Sequence, residues 1–378
     1  MTSKKDQKSI SYEDYINRIS NETIPAYEPD VGNEELELIK DVIDRNWLSE
    51  GKYVREFEKK LSIACERKYA LAFNNCTAAL ITGMKSLGIG AGDDVIVQSL
   101  AHSADPNAIS ATGAKPIFSD VNKDTLCLDI DSIEKVVTKN TKAILHIALY
   151  GNTSDLDDLT KYCVDNNFLL INDCAPALFG SFKGKSIASY GNFSALSFFA
   201  DKTITTGEGG MLLTDSADLI AESNIYKHDG RKERGVDVIE RMGFNYRLTE
   251  LQAALGIAQI KKSDYFIAKK KENNLLYKSL LTNQKVRVFD FNDHEETIPH
   301  RNIIFVPKAI LLIDYLVGKG VGARSLFMPM HSQPIYDNGK SFPKTEELYE
   351  TGVCLPSAPS LKNFQIEYIC ELINEFIN

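Results

Sequence analysis

The sequence has no Cys-x-x-Cys pair. Its seven cysteines, at positions 65, 76, 127, 163, 174, 354 and 370, are scattered and odd in number. That spacing indicates neither a zinc site nor a disulfide framework, and a reducing cytoplasm is the simplest home for such a chain. No stretch approaches the roughly 20 apolar residues that a membrane span needs. The polar, lysine-rich start MTSKKDQKS lacks the apolar run of a secretion signal. Positive charge is not in excess either: 43 Lys and Arg stand against 52 Asp and Glu, a net charge of -9. That balance argues against a nucleic-acid surface as the main function. What is present is a chain of 378 residues, 43% hydrophobic and 25% charged. This is ordinary globular composition, at a length that suits two domains better than one.

Residues 33–46 read as an amphipathic helix with Leu36, Ile39, Val42 and Ile43 at helical spacing, and residues 53–66 as another. Seven short apolar runs follow, at 69–73, 94–99, 115–121, 142–149, 168–174, 194–199 and 209–214. Helix-length segments such as 77–87 and 154–166 separate several of them. Buried continuous runs alternating with helices predict an α/β fold with a mostly parallel, seven-stranded sheet covered on both faces. From Thr249 the pattern is helical for about thirty residues. A strand at 302–307, a helix near 308–319, a strand near 323–328 and a final amphipathic helix then suggest a smaller α+β domain. The expected division is a polar head at 1–25, a large domain at 26–255 and a small domain at 256–378.

The stretch SFFADKTITTGEGG, residues 197–210, sets Lys202 between an apolar strand and a glycine turn. Alone, Lys202 reads as a loop lysine. Its interest comes from residues at the ends of other strands, where open α/β sheets bind ligands. Asp173 closes the apolar run FLLIND, either as a helix cap or as a carboxylate facing a buried cation. In NNCTAAL, Asn74 or Asn75 suits an N-cap, and the N–H groups of Cys76, Thr77 and Ala78, with the Thr77 hydroxyl, suit a phosphate. Ser197 is a small polar strand-end residue or a second hydroxyl on that phosphate. A lysine, an acid and a phosphate cradle together are the set that pyridoxal 5'-phosphate needs. This cofactor is held as an imine to lysine, with a carboxylate on its ring nitrogen. Burial beside a cationic ring helps the lysine to lose its proton.

Ten segments in order resemble the DegT/DnrJ/EryC1/StrS sugar aminotransferases, which are fold type I pyridoxal-phosphate enzymes. They include WLSEGKYVREFE, NNCTAAL, INDCAPALFGSFKGK, LSFFADKTITTGEGGM, GFNYRLTELQAALGIAQ and PMHSQPIY. The resemblance implies that Lys202 bonds the cofactor and that Asp173 meets its ring nitrogen. Thr77, Ser197 and the Ala78 backbone would hold its phosphate. It further implies that Asn245 reaches the cofactor of a neighbouring subunit, hence a homodimer with shared active sites. Four positions depart from the family pattern: Cys76 for glycine, His102 for a stacking aromatic, Pro176 for glutamine and Asn172 for glutamate.

Some relatives that dehydrate carry histidine in place of Lys202, so lysine favours transamination from L-glutamate. The segments around Lys202 and Arg324 look most like enzymes that aminate C4 of nucleotide-linked 4-keto-6-deoxyhexoses. A C3 aminotransferase on a 3-keto sugar is the alternative, and a non-catalytic regulatory member is a further one. By the same resemblance Trp47, Lys52, Lys227, His228, Arg324 and His331 are candidate substrate contacts.

Overall fold

The computed structural model describes residues 23–233, 235–292, 296–337 and 339–378. Most of the expected polar head, residues 1–22, lies outside them. Helices α1 (Asn33–Asp44) and α2 (Lys52–Ala64) lead into β1 (Tyr69–Phe73), α3 (Cys76–Ser86), β2 (Asp94–Gln98), α4 (Ala104–Thr112) and β3 (Lys115–Ser119). The chain continues through α5 (Ile130–Glu134), β4 (Thr141–Ile147), α6 (Leu156–Asp165) and β5 (Leu169–Asp173). A two-stranded excursion, β6 (Ser181–Phe182) and β7 (Lys185–Ser186), precedes β8 (Phe193–Ser197), β9 (Gly210–Thr214) and α7 (Ala217–Lys227). Helices α8 (Glu250–Lys261) and α9 (Ser263–Leu280) cross to β10 (Arg287–Val288), β11 (Asn302–Phe305) and α10 (Ala309–Gly318). The chain closes with β12 (Arg324–Ser325), α11 (Pro343–Thr351), β13 (Gly352–Leu355) and α12 (Asn363–Ile377).

The seven expected apolar runs are the seven strands of the large sheet, in the order β1-β9-β8-β5-β4-β2-β3. Within this sheet only β9 runs against its neighbours. Side chains alternate between the faces with the period of two that a strand imposes. Leu71 and Phe73 of β1 enter the core under α3 and α4, while Ala72 enters the one under α2 and α8. Both faces are therefore buried, which is why the strands read as unbroken apolar runs. The small sheet, β10-β11-β13-β12, is antiparallel throughout and is backed by α9, α10 and α12. Residue 255, where the sequence suggested a division, falls inside α8, and α8 packs on α1 and α2 of the large sheet's side. In α1 the expected apolar stripe divides: Val42 is buried, but Leu36 and Ile43 are each 60% exposed.

Two buried glutamates tie the outer helices down. Glu250, at the start of α8, accepts the N–H groups of Gly51, Tyr53 and Val54 at 2.9, 3.1 and 2.9 Å. It thereby satisfies the free donors at the N-terminus of α2. Glu50 pairs with the Lys227 ammonium at 2.5 Å and His228 Nε2 at 2.8 Å. Lys227 also donates to the Ala72 carbonyl at 3.0 Å. Burial raises the Glu50 carboxyl, but His228 and Lys227 more than offset it and pull it down to about 2. A depressed carboxyl contributes stability above its ordinary value of 4.5 and loses it as pH falls towards 2. Glu50→Ala strands a buried ammonium and is expected to cost about 3–5 kcal/mol in urea unfolding at neutral pH. The variant is also expected to lose less stability than wild type between pH 4.5 and about 2.

Candidate active site

Because six strands of the large sheet are parallel, their C-terminal ends share one edge, and the functional side chains gather there. The loop after β8 carries Lys202, whose N–H donates to the Phe199 carbonyl at 3.0 Å. Threonines brace the same loop: the Thr205 hydroxyl and the Thr206 N–H both donate to the Phe198 carbonyl, at 3.1 and 2.9 Å. Two of its glycines have a physical reason. Gly207 sits at φ +76°, the left-handed region that glycine enters without strain, and a Cβ on Gly210 would collide with the backbone of Asn75 and Cys76. Gly210 thus lets β9 approach the start of α3.

At that start, Asn75 is the N-cap: its side chain accepts the Ala78 N–H at 2.8 Å. This corrects the sequence reading, because the Ala78 N–H is already engaged by the cap. Among the described residues, the N–H groups of Cys76 and Thr77 have no acceptor and belong to the electropositive end of the helix. Asp173 ends β5 and is 5% exposed; its Oδ1 accepts the Ala175 N–H at 2.8 Å, with the Cys76 sulfur at 3.9 Å.

A cavity of about 560 Å³ lies between these strand ends and the small sheet. Cys76, Thr77, His102, Asp173, Ser197, Lys202 and Arg324 all line it, as does Pro176. The His102 ring meets Phe327 edge-on at 5.4 Å, and its Nδ1 accepts the Ala104 N–H at 3.1 Å. Burial first, and Lys202 next, push the His102 imidazole below its ordinary pKa.

Other expected residues lie elsewhere. Lys227 is wholly buried on Glu50, so it does not face a substrate. His331 is held between Ser99 Oγ at 2.6 Å and Glu346 at 3.1 Å, away from the cavity; it fastens the loop after β12 to the end of β2. Asn172 is turned into the core, bonded to His146 at 2.8 Å and to the Ile187 carbonyl at 2.7 Å. His228 borders a separate pocket of about 350 Å³ with Arg55, Arg231, Lys232 and Arg247. Trp47, Lys52 and Asn245 are exposed and are absent from the cavity wall.

The structure adds groups that the sequence reading missed. Asp201, beside Lys202, pairs with the Arg301 guanidinium, and its Oδ1 lies 3.8 Å from Lys202 Nζ and 3.9 Å from His300 Nε2. Burial and Lys202 push His300 down to about 3, so it is neutral. Against burial, the Lys202 charge first, then a hydrogen bond from His300 and the Arg301 charge, hold Asp201 well below the usual carboxylate range. Tyr27 lies under both Arg301 and Arg324, at 5.2 and 5.8 Å from its ring. Asp105, from the first turn of α4, enters the same cavity. Asp201 was visible as the neighbour of Lys202; Arg301 and Tyr27 come from distant segments that carry no motif.

Solved structures of similar shape include DesI in the presence of its TDP-sugar product. It shares a TM-score of 0.88 and 26% identity, over 94% of this chain and 93% of that one. The protein has a seven-stranded α/β fold and, by the family its sequence matches, is a sugar aminotransferase. It belongs to the DegT/DnrJ/EryC1/StrS aminotransferase family, whose sequence profile matches residues 29–374. GDP-perosamine synthase of Escherichia coli O157:H7 is 37% identical over 93% of this chain and 98% of its own length. GDP-perosamine synthase of Vibrio cholerae is 31% identical over 94% and 99%. The family depends on pyridoxal phosphate, and the donor set fits that cofactor: a lysine, a buried acid, two unengaged helix N–H groups and two hydroxyls on one wall.

A buried lysine behind this wall supplies a test of its electrostatics. Lys270 of α9 is 4% exposed, and burial, then Arg301, push it down to about 7. The unfolded chain binds this proton up to 10.5, so the depressed group makes stability rise with pH between about 7 and 10.5. Lys270→Met is expected to stabilise the protein at neutral pH by about 1–3 kcal/mol and to flatten that rise, read by thermal unfolding across pH.

Proposed function

We propose that this protein moves an amino group from L-glutamate to C4 of a nucleotide-linked 4-keto-6-deoxyhexose, for surface polysaccharide or glycoconjugate synthesis. The observation that carries the reading is the convergence of Lys202, Asp173, Thr77 and Ser197 on one cavity wall. When bound, pyridoxal phosphate supplies an electrophilic carbon and an electron sink. Lys202 holds it through Nζ and, once released, takes a proton at Nζ as base and returns it as acid. Asp173 balances the charge of the ring nitrogen. The N–H groups of Cys76 and Thr77, with the Thr77 and Ser197 hydroxyls, take the phosphate. His102 covers the ring, and Arg324 meets an anionic group of the substrate.

The reading includes a homodimer with shared sites. By the family resemblance Asn245 serves the phosphate of a partner copy's cofactor, and its exposure away from its own cavity supports that role. Trp47 and Lys52, both exposed, face the same partner's substrate in this reading, whereas His228 is held on Glu50 and the Asn224 carbonyl. The exposure of Leu36, Ile43, Trp47 and Leu48 supports an apolar contact on this side. The GDP-perosamine synthase names of the relatives, and the TDP-sugar product in whose presence DesI was solved, support a nucleotide-linked substrate.

Lys202→Ala is expected to abolish the visible absorbance band of the bound cofactor and to lower turnover by at least ~10³-fold. In wild type that band bleaches with L-glutamate; a protein that stays yellow is a non-catalytic member. Asn245→Ala is expected to weaken cofactor binding about tenfold, and mixing it with Lys202→Ala restores one working site per heterodimer. Mixtures without recovered activity contradict shared sites. A panel of GDP- and TDP-linked 3-keto and 4-keto sugars with glutamate separates C4 from C3 amination by product regiochemistry.

A further inference from the structure

Asp105 has no part in the chemistry above, yet it lies at its centre. It sits in the first turn of α4 and is 1% exposed, and its Oδ1 has no hydrogen-bond partner among the described residues. It lines the same cavity as Asp173 and lies within hydrogen-bonding reach of that carboxylate. Asp173 already accepts from Ala175 N–H and faces the Cys76 thiol, so the other polar group against it on this side is a second acid.

Two carboxyls in contact in a buried site do not both ionise; they share one proton. The surroundings decide which keeps it. The charged or titratable groups that face Asp105 are Asp173 from β5 and Lys202 from the loop after β8. Cys76 at the start of α3 and His102 before α4 complete the ring. Both of the latter are neutral: burial pushes the Cys76 thiol far up and the His102 imidazole down. Lys202 is then the one basic side chain of this set, and its Nζ already has Asp201 Oδ1 at 3.8 Å. Asp173 Oδ1 has the Ala175 N–H, while Asp105 Oδ1 has no donor among the described residues and its carboxyl is supported only by its own backbone N–H.

We propose that Asp105 is a positioning acid: it stays protonated and donates its O–H to Asp173, fixing that carboxylate and drawing part of its charge away from the cofactor's ring nitrogen. The ring thus faces a weaker base than a lone aspartate. Asp173 also keeps a donor when no cofactor is bound, so its buried charge is never without a partner. The role at the ring rests on the reading of Asp173 given above; the shared proton does not.

Infrared spectroscopy of the cofactor-free protein at neutral pH tests the proton directly. Wild type is expected to show a protonated carboxylic-acid carbonyl band that is missing from Asp105→Asn, whose amide keeps both a donor and the shape. Equal spectra in the two proteins overturn the proposal. The positioning role is read with pyridoxal phosphate added. The pH midpoint of the bound cofactor's absorbance band stays near wild type in Asp105→Asn and moves by about one pH unit in Asp105→Val. Equal midpoints in all three proteins overturn it. If Asp105→Val does not fold, a midpoint in Asp105→Asn displaced by about one unit overturns it instead. A wild-type protein that forms no cofactor band sinks the functional reading and leaves the infrared result standing.

Discussion

The site depends on one constraint: charge buried at the end of a parallel sheet must be matched there or it is not tolerated. Four carboxyls, Asp105, Asp173, Asp201 and Glu208, and three basic side chains, Lys202, Arg301 and Arg324, line one cavity. The three aspartates each have a partner. Asp201 pairs with Arg301 and keeps Lys202 within 3.8 Å, Asp173 has the Ala175 N–H, and Asp105 has Asp173. Without the cofactor these pairings keep the wall in shape; with it, the ring and the phosphate add the charges that the wall is built to meet.

The same pairing joins the two sheets. Arg301 precedes β11 of the small sheet, Asp201 follows β8 of the large one, and Tyr27 lies under Arg301 and Arg324 together. The cavity is therefore closed by contacts between segments far apart in sequence, and Lys202 sits at the seam. A shift of the small sheet would move Arg301, and with it the partner of the residue next to Lys202.

Much of the fold was legible because burial on both faces leaves an unmistakable mark: seven apolar runs became seven strands. The small sheet was less legible. Its β10 and β12 are two residues each, and β13 carries the mixed sequence GVCL, too short to set a period. Within the site, Lys202, Asp173 and Thr77 were readable because each lies at a strand or helix end with a local signature. Asp105, Arg301 and Tyr27 were not, since only tertiary contact brings them to the cavity. Lys227 and His331, expected at the substrate by resemblance, are instead held by Glu50 and Glu346 as structural ties. The Ala78 N–H misled more subtly, because a cap and a phosphate compete for the same donors.

Lys202, among the lysines near this cavity, is the one proposed to bond the cofactor. The rival is specific: Lys270 lies behind the same wall and, with its pKa near 7, keeps a large neutral fraction at neutral pH. Reduction of the pyridoxal-phosphate-loaded protein with borohydride, followed by peptide mass mapping, separates the two. One cofactor mass per chain is expected, on the peptide that carries Lys202. A label on the Lys270 peptide, or none at all, would contradict it.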